Sequence, residues 1–144
     1  MKRTIASALA VAAAITAIGG VAEAKHKKPI TKSYTATASN PDPTNYAGGS
    51  VCRQNVPGSA HVEKFTAPEA GTLKAEISKF QGDWDMLLTD DKGRELSNSG
   101  GSEVVDGSEK LTYKVKKAGT LNIIACNWAG GPTAKAKYEF TFAK

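Results

Sequence analysis

The sequence predicts an all-β domain, an antiparallel β-sandwich or jelly roll of about eight strands, preceded by a cleaved leader. Three observations predict it. Apolar and polar residues alternate at period two in one segment after another. Turns rich in Gly, Pro and Asp separate those segments about every ten residues, and helical periodicity is absent outside the leader.

The leader comes first in chain order. Lys2 and Arg3 form a positive n-region, residues 5–18 are mostly Ala, Val, Ile and Leu, and Ala22-Glu23-Ala24 is a small-x-small cleavage pattern. That is the anatomy of a secretory signal peptide cut after Ala24. Its apolar run is shorter than the roughly 20 residues that span a bilayer, and no Cys follows the cut to take a lipid. The expectation is a secreted protein with no stable membrane anchor. Its organisation would be a signal peptide (1–24), a basic flexible tail (25–31) and one β-sandwich domain (32–144).

Removing 24 of 144 residues leaves 120, enough to bury a core without a metal to hold it together. The formal charge of +5 falls to +4 when Lys2, Arg3 and Glu23 leave. The lysines are spread along the strands, which reads against nucleic acid as a partner. Their one cluster, Lys25-His26-Lys27-Lys28, is either a solvated tail or a weak contact for anionic wall polymer or lipid. Two cysteines remain, Cys52 and Cys126, and in an oxidising compartment a lone pair forms one disulfide. Closing so long a loop stabilises the fold by roughly 4 kcal/mol in the chain-entropy model.

Residues 32–38 read as a first strand. A long connection punctuated by Pro and Gly follows, through Asn40-Pro41-Asp42-Pro43, Tyr46-Ala47-Gly48-Gly49 and Val56-Pro57-Gly58. Residues 62–66 are short and β-prone. Residues 72–78 place Leu73, Ala75 and Ile77 on one face against Lys74, Glu76 and Ser78. Residues 84–89 resume after Gln81-Gly82, and Asp90-Asp91-Lys92-Gly93 is a turn of hairpin length. Residues 94–97 return briefly, and residues 110–116 turn Leu111, Tyr113 and Val115 inward. Residues 120–126 are patterned for cover on both faces. Residues 127–132 read as a Gly-rich loop, and residues 134–142 close with Ala134, Ala136, Tyr138, Phe140 and Phe142 on one side.

Several of these segments follow a familiar order. Ala70-Gly71-Thr72-Leu73 precedes Gly82-Asp83-Trp84-Asp85-Met86-Leu87-Leu88-Thr89-Asp90 and Lys92-Gly93-Arg94-Glu95-Leu96. Leu111-Thr112-Tyr113-Lys114-Val115 and Ala118-Gly119-Thr120-Leu121-Asn122-Ile123 come after. Together they resemble the bacterial pre-peptidase C-terminal (PPC) domains, small β-sandwiches carried by many secreted proteases. The resemblance spans residues 62–142 and implies a sandwich fold. Such domains usually flank a catalytic domain, and this chain carries none to flank.

Catalysis finds little support in the residues. The two histidines are His26, in the tail, and His61, and no Ser sits in a Gly-flanked elbow to be activated by either. Asp83 and Asp85 stand about 7 Å apart at i and i+2 on one strand. They would point the same way, not flank a glycosidic bond from opposite sides. No cofactor is required. Calcium is the metal that Asp83, Asp85, Asp90 and Asp91 would take, with carbonyls of Gly82 and the 90–93 turn. The competing reading has Asp85 satisfying turn amides and Asp90 opening an Asx turn.

Trp84 falls inward with Met86 and Leu88. Trp128, in the expected Gly-rich loop, either stacks on a ligand or covers the disulfide. The leading expectation is a secreted, non-catalytic binding or accessory module. It would recognise extracellular polysaccharide, cell wall or protein through loops at one end of the sandwich, with Trp128 and Tyr46 as contacts. The alternative is an inhibitor or partner of an exported protease, presenting the 40–58 loop. A small hydrolase using His61 or Asp85 is the third.

Overall fold

Each alternating segment becomes a strand, because only pairing satisfies its backbone while one face is buried. The computed structural model describes residues 27–42, 52, 56–99 and 107–144. The expected leader, His26 and Tyr46 lie outside the described residues. The strands are β1 (Ile30–Thr37), β2 (Ala60–Ala67), β3 (Gly71–Ser78), β4 (Gly82–Asp90), β5 (Glu95–Asn98), β6 (Ser108–Val115), β7 (Gly119–Gly130) and β8 (Thr133–Phe142). No helix occurs among the described residues, so none there is long and apolar enough to cross a membrane.

Two four-stranded sheets form, in the orders β1-β8-β3-β6 and β2-β7-β4-β5, with every pairing antiparallel. We call them the first and second sheet. The pairs β1·β8, β2·β7, β3·β6 and β4·β5 are nested, as if one long hairpin had been wound across two layers. That winding is a jelly roll, the narrower of the two architectures expected.

The sheets enclose a core of Phe65, Leu73, Ile77, Trp84, Met86, Leu88, Ile123, Tyr138 and Phe140. Phe65 joins the layers, its ring 5.1 Å from Tyr138 and 5.3 Å from Phe140. Trp84 is fully buried, as alternation requires, and its indole N–H donates to the Gly131 carbonyl at 3.2 Å.

Several boundaries differ from expectation, and three of the differences change the packing. β1 starts at Ile30, inside the stretch expected as tail, because residues 30–37 pair continuously with residues 133–140 of β8. Lys27, ahead of it, bonds Glu69 and lies over the Phe142 ring. β2 begins at Ala60 and takes in His61.

The largest change is β7, which runs on to Gly130, so the loop expected over 127–132 shrinks to Gly131 and Pro132. The cause is tertiary. β4 continues to offer partners, Trp84 to Asn127, Asp83 to Ala129 and Gly82 to Gly130. Both glycines adopt left-handed backbone (φ 86° and 113°), and a Cβ on either would meet backbone at 2.1–2.2 Å. The local Gly-rich signal marked a close approach of two strands, not a loop.

Candidate functional site

The outward face of the first sheet is built by the polar half of each alternation. Lys135, Lys137 and Glu139 stand on β8, Lys74 and Glu76 on β3, Lys110 and Lys114 on β6, with Thr31 and Ser33 on β1. Register lines them up in rows across the sheet. One row is Ser33, Lys137, Glu76 and Lys110; the next is Thr31, Glu139, Lys74 and Thr112. These two rows line an open groove of about 360 Å3. Lys137 pairs with Glu76 at 3.1 Å, and Lys135 donates to the Thr35 hydroxyl at 3.2 Å.

The second sheet's outward face is the opposite. Leu87 and Ile124, paired across β4 and β7, are buried there with Cys52 and Cys126. The two cysteines form a disulfide at a sequence separation of 74, with their Cα atoms 5.5 Å apart. The Cys52 sulfur lies 3.9 Å from the Asp85 carbonyl oxygen, so the bridge sits over β4. The Cys52 backbone is left-handed at φ 72°.

The structure does not bring the four expected aspartates together. Asp83 and Asp85 sit at one end of β4 and Asp90 at the other, and an extended strand separates Asp83 from Asp90 by about 23 Å at 3.3 Å per residue. Asp90 is engaged in its own turn. It accepts from the Lys92 and Arg94 backbone N–H groups, both at 2.9 Å, and pairs with the Arg94 side chain. The Arg94 backbone bond, with the other donors, holds its carboxyl below the usual range. That is the Asx turn of the competing reading. Asp91 is an exposed residue of the same turn.

Among the described residues no three His, Cys, Asp or Glu side chains converge on a point that would hold a metal ion. Asp83 and Asp85 nonetheless share a mostly unfavourable setting. Burial pushes Asp85 up to about 6, and the charges of Asp83 and Glu109 add to the rise. Burial also raises Asp83 and Glu109, the latter against a hydrogen bond from Ser99.

Trp128 is not on a loop. It is the half-buried extra residue of a β-bulge in β7, between Asn127 opposite Trp84 and Ala129 opposite Asp83. His61 stacks on Tyr34 with centroids 5.4 Å apart, and its Nδ1 accepts from the Thr37 N–H at 3.3 Å. One end of the sandwich buries Asp42, Ser59 and Asn127 completely. Asn127 Nδ2 donates to the carbonyls of Ala38 and Gly131, and the Asp42 N–H donates to the Asn127 carbonyl, tying β1, β2 and β7 at that end.

The strand order and the bridge define the class, a disulfide-linked jelly-roll β-sandwich. No family model matches the chain, and no curated protein matches it. Among solved structures the chain is similar to the pre-peptidase C-terminal domain of a collagenase from Bacillus anthracis. The TM-score is 0.49 at 9% sequence identity, covering 78% of this chain and 88% of that one.

Proposed function

We propose that the chain is an exported, non-catalytic binding module whose recognition surface is the groove on the outward face of the first sheet. The observation that carries the reading is the groove itself, open, lined by Lys74, Lys110 and Lys137, and laid over strands whose opposite face forms the core. Export is supported by the leader sequence and by the Cys52–Cys126 bridge, which persists in oxidising compartments.

A non-catalytic role is supported by His61, whose Nδ1 is taken by backbone and whose ring is stacked, and by Asp83 and Asp85 lying along one strand. The PPC resemblance points the same way, toward an accessory domain. The reading moves recognition from the rim to a sheet face. Trp128 is built into β7, and Tyr46 lies outside the described residues.

The test is a panel of glycans and extracellular proteins presented to the purified chain and to K74E and K137E. A ligand lost in both variants, at unchanged melting midpoint, is the expected result. Ligands bound equally by all three proteins would place recognition elsewhere.

A further inference from the structure

We infer that the groove's occupant is an anionic glycan, a polysaccharide chain carrying carboxylate or phosphate groups; the inference rests on the proposed recognition surface. The first argument is charge. Outward positions of this sheet hold Lys74, Lys110, Lys114, Lys135 and Lys137 against Glu76 and Glu139, an excess of three positive charges on one face. The chain as a whole carries +5. Excess lysine on one face raises the local concentration of a polyanion and speeds its arrival.

The second argument is position. Lysines on edge strands commonly serve to prevent edge-to-edge pairing. Lys74, Lys135 and Lys137 are on β3 and β8, the two central strands of the sheet, where there is no edge to protect. Their spacing also suits a chain more than a single small anion. Lys135 and Lys137 are about 7 Å apart along β8, and Lys110 lies two strands from Lys137 in the same row, about 10 Å away. Glu76, between those two, pairs with Lys137.

The third argument is what surrounds the charges. Thr31, Ser33 and Thr112 place hydroxyls along the groove, each able to donate to and accept from sugar hydroxyls. The aromatic residues of these strands, Tyr34, Tyr113, Tyr138, Phe140 and Phe142, occupy the inward positions of the alternation. Among the described residues these strands therefore turn no aromatic ring outward on which to stack a nucleobase, the device single-stranded nucleic-acid binders rely on. Affinity must come from ammonium groups and hydroxyls, and so must weaken with salt.

The experiment titrates the purified full chain with polygalacturonate, phosphomannan, neutral dextran and oligo-dT, in 50 and 500 mM NaCl. Binding to at least one anionic glycan is expected, weakened tenfold or more by the higher salt. The triple variant K74Q/K110Q/K137Q should lose at least tenfold in affinity with its melting midpoint unchanged. K64Q, on the outward face of the second sheet, should bind as the wild type does.

Polygalacturonate and phosphomannan distinguish carboxylate from phosphate as the recognised group. No binding to either, or oligo-dT bound as tightly, overturns the glycan assignment. Salt-insensitive dextran binding that the triple variant abolishes also overturns it, while leaving the groove as the recognition surface. Glycan binding untouched by the triple variant overturns both readings.

Discussion

The two outward faces of this sandwich follow the same alternation and end in opposite states. On the first sheet the outward residues are Lys, Glu, Thr and Ser, and they line an open groove. On the second sheet the central outward residues are Leu87 and Ile124, sealed beneath a disulfide. The second sheet's face is a small satellite core that adds stability, and the first sheet's face stays open to solvent. A fold of this size can divide its labour in that way because the main core lies between the sheets and depends on neither outer face.

The contrast breaks most visibly at the bridge. C52A/C126A should lower unfolding free energy by about 4 kcal/mol, since the closed loop is long and the unfolded chain regains its freedom. Urea denaturation read by tryptophan fluorescence measures it, and a loss below about 1 kcal/mol would mean the bridge only decorates the second sheet. Next in size is L87A, which removes a buried side chain from beneath the bridge and should cost about 2–3 kcal/mol by the same assay.

Much of this was legible along the chain. Period-two patterning in Leu73-Ala75-Ile77 and Ala134-Ala136-Tyr138-Phe140 marked strands and their buried faces, and Ile124 beside Cys126 marked a strand covered twice. What was not legible is which strands become neighbours. Each lysine read as outward on its own strand, and the charge therefore read as scattered. Only the order β1-β8-β3-β6 gathers Lys74, Lys110 and Lys137 over one groove.

The loop expected around Trp128 was misplaced for a related reason. Local Gly and Pro suggested a loop, but pairing of Gly82 with Gly130 extended the strand through it. The separation of Asp83 from Asp90, by contrast, was available from strand rise alone.

The carboxylates at the start of β4 sharpen the comparison, because they put an electrostatic cost on the sealed sheet. Asp85 is raised from 3.8 to about 6, chiefly by burial. A raised carboxyl holds its proton more tightly folded than unfolded. Its contribution is therefore whole below pH 3.8 and is lost as pH climbs through 6. Above pH 6 the ionised group opposes folding. Screening by solvent at this half-exposed site reduces the penalty to about 1 kcal/mol. D85N should accordingly melt higher than wild type at pH 7.5 and together with it at pH 3.5. An advantage of equal size at both values would show that packing, not charge, set the difference.

The smallest effect expected is the most telling for the open face. K137A removes one end of the Lys137–Glu76 ion pair, which is solvent-exposed on the lysine side. Exposed pairs of this kind contribute between nothing and about 1 kcal/mol. Its unfolding free energy should stay within about 0.5 kcal/mol of wild type in the same urea titration. If K137A instead cost as much as L87A, the groove's lysines would be structural and the division between the two faces would collapse. A near-zero cost means that folding does not explain why Lys137 stands in the middle of this sheet.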